Sequence, residues 1–485
     1  MVRMAHIIFA LALVGGLLGA CTPQRAYNYE EIVAEYGPQP AAAALAAQPQ
    51  CKPDVALLEQ PIGMADAVRI ALHNNPDVAM AAARIRQSET MIDEANAAFW
   101  PSLGIYTEFL AGDAPSAYLF KKIDERQLPP NADFNDPGFF RNFESGIAAR
   151  YNLYRGGRDL LRRRIAETGM EISELDKSAV ENALVASVIQ AYYSTLAAKD
   201  FKEIAADSID TVSAQLKDVT VKYQAGGALK SEVLSLQVRL AQAEAELVQA
   251  QNHYDLALAS LANLLGGDVD TPIRLTGEEW QPPQLPVDYE SGMERALGMR
   301  PELLKVRQQL IAAKMSLDET RGEYLPQVDL QAKTYFDDAD LAYDADRVNW
   351  TVGVILNWDL FSGFSTGARL NRARAVLDEM LAADRKATQS IQLDVKTAYL
   401  RKSEAEARLA VTRASVAQAE EALRLVQREY EGGSATIVRY MDVELARNRA
   451  RILDTSARYD ARKAQADMGR ALGYFGSRGF AAAGR

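Results

Sequence analysis

Histidine and cysteine are nearly missing from this chain of 485 residues: three of the first, two of the second. Hydrolytic metal sites and acid–base catalysis near neutral pH lean on histidine, so its scarcity weighs against an enzyme. HExxH and CxxC do not occur. Gly226-Gly227-Ala228-Leu229-Lys230-Ser231 is faintly like a phosphate loop, but the GxxxxGK[ST] spacing and a preceding strand pattern are both missing. No catalytic residue, metal or cofactor is therefore expected. An excess of basic residues is also missing. The net charge is −11, which argues against a nucleic-acid partner, because a phosphate-binding surface needs clustered Lys and Arg. Beyond the N-terminus no run of 18 apolar residues appears, so no transmembrane helix is expected in the mature chain. A chain that crosses a bilayer without one must do so as a closed β-barrel.

The N-terminus carries the first positive signal. Arg3 precedes an apolar stretch, Ile7 to Leu18, that is too short to span a bilayer. Residues 1–20 read as a cleaved export signal. The stretch ends in Leu18-Gly19-Ala20-Cys21, which resembles a bacterial lipobox with Cys21 as the lipidated residue. Thr22 follows where bacterial lipoproteins retained in the inner membrane carry Asp, so resemblance to that sorting signal implies the outer membrane. If Cys21 is acylated, Cys51 has no intrachain partner. If it is not, a Cys21–Cys51 bridge is open to an oxidising compartment. Residues 21–61 are rich in Ala, Pro and Gln and read as a tether.

The rest of the chain is one plan written twice. Asn75-Pro76-Asp77 and Pro101 are answered by Arg300-Pro301-Glu302 and Pro326 at an offset of 225 residues. Leu153, Tyr192, Tyr223, Gly226 and Leu265 are answered by Leu360, Tyr399, Tyr430, Gly433 and Leu472 at an offset of 207. The first copy thus holds 18 extra residues between Pro101 and Leu153. The copies span 62–265 and 289–473, with a proline-bearing linker at 266–288 and a tail at 474–485.

Each copy reads as helix, strand, strand, helix, helix. Residues 327–336 and 350–360 alternate apolar and polar with period 2, the pattern of a transmembrane barrel strand. Their counterparts are 102–110 and 145–154. Trp350 and Trp358 lie eight residues apart on the apolar side. That spacing is about 27 Å along a strand, close to the ~25 Å between aromatic girdles. Segment 111–141 holds four prolines with Gly112 and Gly138 and reads as a loop. Residues 158–223 contain no proline and reach about 100 Å as a helix. Along 228–265, Val233, Leu236, Leu240, Ala243, Leu247, Ala250, Tyr254, Ala257, Leu261 and Leu264 recur at 3,4 spacing, a coiled-coil seam. Gly226-Gly227 and Gly432-Gly433 break the helices, giving two hairpins with tips at those glycines.

The duplicated plan, its proline pairs, the strand exits YNLYRGGR and WDLFSGF and the glycine-tipped hairpins resemble the TolC-type outer-membrane efflux proteins across roughly 62–473. The lipobox is similar to that family's lipoprotein branch. The resemblance implies a mainly α fold with a small β part. Four strands per chain would join a trimeric, twelve-stranded transmembrane barrel, and the coiled-coil hairpins would form an α-barrel through the periplasm. Strand counting agrees, since natural single-chain barrels start at eight strands. The implied partners are two further copies of the chain, the outer-membrane lipid, a periplasmic adaptor (membrane fusion) protein and an inner-membrane pump. The second tip is similar to the family's periplasmic aperture. Asp442 matches the second acidic position there, while Arg439 stands where the namesake carries the first aspartate. The expected function is an export channel, with efflux of small molecules favoured. Type I protein secretion, or a coiled-coil lipoprotein without a pore, are the alternatives.

Overall fold

The computed structural model describes residues 61–131, 133, 135–277, 285–341 and 347–476. They belong to one compact unit, Leu58–Arg485; the other unit, Met1–Leu57, lies outside the described residues, and with it Cys21, the signal peptide and nearly all of the tether.

The first copy comprises α1 (Met64–Asn74), α2 (Pro76–Asn96), β1 (Ser102–Gly112), α3 (Pro115–Asp124), β2 (Phe140–Arg155), α4 (Arg158–Gln224) and α5 (Lys230–Leu264). The second comprises α6 (Tyr289–Met299), α7 (Pro301–Arg321), β3 (Gln327–Asp338), β4 (Val348–Asn357), α8 (Ser365–Glu431) and α9 (Ile437–Ala471). Each copy therefore opens on two helices where one was expected. The prolines cause the split. Pro76 and Pro301 start α2 and α7, and the residues before them, Asn75 and Arg300, are extended, with ψ 129° and 121°. Proline forces that conformation on its predecessor and suits the first helical position. Asn75 adds a cap: its side-chain oxygen accepts from the Asp77 N–H at 2.9 Å.

The long helices α4 and α8 have 67 residues each, and α5 and α9 have 35 each. A 35-residue partner covers only half of a 67-residue helix, and α2 and α7 pack on the remainder. All ten seam positions of α5 are buried or half-buried. Near the tips the two hairpins share one core of Val212, Val219, Leu236, Val426, Ile437 and Tyr440. Helix α9 also packs on α4 of the other copy.

The strands form one antiparallel sheet in the order β1-β2-β3-β4. The central pairing, β2 with β3, joins the two copies. Strand β4 ends at Asn357, opposite Gln327. The next partner would be Pro326, which has no N–H to give. Trp358 therefore lies beyond the strand instead of on it, and its indole N–H donates to the Tyr324 carbonyl at 3.0 Å. The loop expected at 111–141 contains the helix α3. Pro115 at its start and Lys121 and Lys122 in its last turn are helix signals placed among turn residues.

Candidate functional site

The sheet has two chemically distinct faces. Ile105, Ile147, Thr334 and Trp350 are in register across the four strands. With Leu103, Val352, Val354 and Leu356 they make one face an exposed apolar band. Tyr106, Gly146, Tyr335 and Asn349 are in register on the opposite face. That face also carries Glu108, Glu144, Arg150, Asp329, Gln331, Lys333 and Asp337, by the period-2 rule. The outer strands β1 and β4 pair on one side only within the described residues. In hydrocarbon an open row of N–H and C=O groups is untenable, so a membrane sheet needs neighbours on both edges. Trp350 is 74% exposed within the apolar band and Trp358 is 55% exposed just past its end.

The sheet end remote from the long helices holds an ion cluster on the polar face. Helix α3 lies against it. The Lys121 ammonium donates to Glu144 of β2 and, at 2.9 Å, to Asp337 of β3. Tyr106 and Lys333 donate to Glu144 at 2.6 and 2.8 Å, and Asn142 donates to Asp337 at 2.6 Å. Asn349 of β4 donates to the Asp124 carbonyl at 3.0 Å, and Lys122 pairs with buried Glu125 at 2.5 Å. Burial works against the Lys121 charge, but the bonds to Glu144 and Asp337 outweigh it and its pKa is raised. Burial pushes the Asp124 and Glu125 carboxyls up. Removing one partner from a buried pair of this kind costs about 3–5 kcal/mol, because the other charge is stranded.

At the opposite end lie the hairpin tips. Gly226 and Gly433 have φ of 81° and 77°, the left-handed region where glycine is favoured; Gly227 and Gly432 lie outside it. Both tips close alike. The Gly227 N–H donates to the Lys222 carbonyl and the Ser434 N–H to the Glu429 carbonyl, each at 2.8 Å, a Schellman closure. Arg439 is exposed on the first turn of α9. Its backbone N–H donates to the Thr436 hydroxyl at 3.3 Å, and its Nε lies 4.0 Å from Glu429 of α8. The carboxylate nearest Arg439 is thus across its own tip. Asp442 is exposed one turn later. The structure does not bring Arg439 and Asp442 together with the tryptophans, which lie at the sheet.

Two residues further, Glu444 is buried at 1% exposure and accepts from Asn448 at 3.4 Å; Asn448 also donates to Ser208 of α4 at 3.3 Å. Burial pushes the Glu444 carboxyl up, and the Arg447 and Arg239 charges pull it back. Sequence reasoning missed this acid. Its signal was the 3,4 spacing from Ile437 and Tyr440, which places an ionisable side chain in an apolar seam. A GxSxG spacing does occur at Gly363–Gly367, on the turn between β4 and α8. The described histidines, His73 and His253, sit on α1 and α5. Among the described residues no group of three or more His, Cys, Asp or Glu is placed to hold a metal, and no helix is long and apolar enough to cross a membrane.

A family model described as "Outer membrane efflux protein" matches residues 67–267 and 292–474. The chain is 24% identical over 376 residues to the pyoverdine export outer membrane protein OpmQ of Pseudomonas aeruginosa, covering 77% of each chain. It is 24% identical over 272 residues to the probable outer membrane lipoprotein SilC of Salmonella typhimurium, covering 54% of this chain and 52% of that one. A solved membrane protein from Pseudomonas aeruginosa shares the fold with a TM-score of 0.74 at 22% identity, over 84% of this chain and 93% of that one.

Proposed function

The chain belongs to the outer membrane efflux protein family, and we propose that it is the outer-membrane channel of a tripartite export system. The observation that carries this reading is the two-faced, four-stranded sheet with open edges at β1 and β4, mounted on two coiled-coil hairpins. Three chains joined β4 to β1 make a twelve-stranded barrel with no edges. The apolar band then meets lipid and the polar face lines water. Trp358 marks the border of the band nearest the helices, and Trp350 lies within it. The helices continue the passage through the periplasm toward an adaptor and an inner-membrane pump, and the channel performs no catalysis. Likeness to a relative named for pyoverdine export supports a small-molecule cargo. Likeness to a relative named as a probable lipoprotein supports acylation at Cys21.

The hairpin tips form the periplasmic mouth. Arg439 and Asp442 are exposed there at neighbouring levels of α9, and threefold symmetry brings three copies of any inward-facing residue together. Carboxylates in a narrow mouth concentrate cations, and salt weakens the effect. Light scattering in detergent is expected to give the mass of three chains. In planar bilayers Asp442→Ala should raise conductance and lower cation preference, while Arg439→Ala should raise both. A monomer that forms no pores would overturn the channel. Pores unchanged by either substitution would move the aperture elsewhere.

A further inference from the structure

Among the described residues helix α3 has no counterpart in the second copy, and it lies on the polar face of the sheet. We infer that α3 is a plug inside the outer mouth of the barrel, and that three copies form a second constriction held shut through Lys121. The inference rests on the channel reading above, which turns the polar face inward.

Three observations carry it. The first is attachment to the wall. Lys121 bridges β2 and β3 through Glu144 and Asp337. Asn349 of β4 holds the Asp124 carbonyl, and Arg126, just past the helix, donates to the Val348 carbonyl at 3.3 Å. Strands β2, β3 and β4 thus all hold one ten-residue helix. The second is room. Twelve strands spaced about 4.8 Å and tilted about 40° close at a radius of about 12 Å. A helix with its side chains is about 10 Å across, so three helices seated on the inner wall fill most of the mouth. The third is the chemistry of the free side. Phe120 and Ile123, three residues apart on one helix face, are 65% and 47% exposed. With Lys121 toward the wall, they point to the barrel axis, where the same side chains from the other two copies face them. An apolar constriction excludes water and ions by dewetting. The occupant of that exposed face is therefore the matching face of α3 in the other two chains.

A thiol placed deeper in the barrel reports on the plug. Gly353 lies on the polar face of β4, four residues inward from Asn349, and a side chain added there meets nothing within 4 Å. Gly353→Cys, in a Cys51→Ala background, is labelled from outside intact cells with a small charged methanethiosulfonate and with a maleimide carrying a bulky fluorophore. With α3 intact only the small reagent should react. Lys121→Met should speed bulky labelling by about a hundredfold, the change expected when a buried ion pair loses one partner, and Lys121→Arg should restore protection. Replacing residues 115–124 by a Gly/Ser loop gives the same gain without a stranded charge, and trimer mass shows that each variant has assembled. Equal bulky labelling with and without α3 overturns the plug while leaving the channel. If even the small reagent fails to label any variant, the polar face does not line a passage, and the channel reading falls with the plug.

Discussion

Glu444→Gln tests whether the tip region is built as described. The carboxylate is buried where α9 packs on α4, with Asn448 as donor and Ser208 beyond it. Tyr440 and Arg447 flank it on α9, and Arg239 reaches it from α5. Burial raises its pKa, so the folded hairpin holds this proton more tightly than the unfolded chain does. The stability it contributes is full below the usual carboxylate range and is lost as pH rises through the raised folded value. A proton held tenfold more tightly is worth about 1.4 kcal/mol, and the local opening constant changes by the same factor. Glutamine keeps the shape and an oxygen that can accept from Asn448, and it never ionises. Amide hydrogen exchange over residues 437–450, expressed as protection factors at mildly acidic and at neutral pH, reads the effect. Wild-type protection should fall as pH rises from the first to the second. Glu444→Gln should be as protected at neutral pH as the wild type is in acid, with no pH dependence. A mutant that keeps the wild-type pH slope would refute the burial argument, because some other group would then carry the titration.

Gly226→Ala and Gly433→Ala should each destabilise a tip by about 1–2 kcal/mol from backbone conformation alone, since nothing lies within 4 Å of an added side chain; Gly227→Ala should change tip protection little, and equal losses at all three would show that the left-handed turn is not the cause. Cys21→Ser should abolish incorporation of labelled fatty acid, and undiminished labelling would place acylation elsewhere.

Whatever depends on local period was legible before any fold was known. The alternation at 327–336 gave β3 to within two residues, because the side chains of a strand report directly which face each occupies. The 3,4 spacing from Val233 to Leu264 gave the α5 seam, because a helix buries one stripe. Constant offsets between the copies gave the duplication. Of the candidate site, the tip glycines were legible because they mark where the helices break; Arg439 and Asp442 came from the family resemblance. The rest turns on pairs far apart in the chain, and three-dimensional packing alone fixes those. Trp358 leaves the strand because Pro326, beside the neighbouring strand, has no N–H to offer. Lys121 finds its partners 23 and 216 residues away, and no local pattern announces a lysine as an ion clamp. Spacing puts Glu444 in the seam of α9, but only the docking of α9 on α4 shows what buries it. Period reveals which stripe of a helix is apolar; which second element covers the adjoining stripe is settled by packing between the copies.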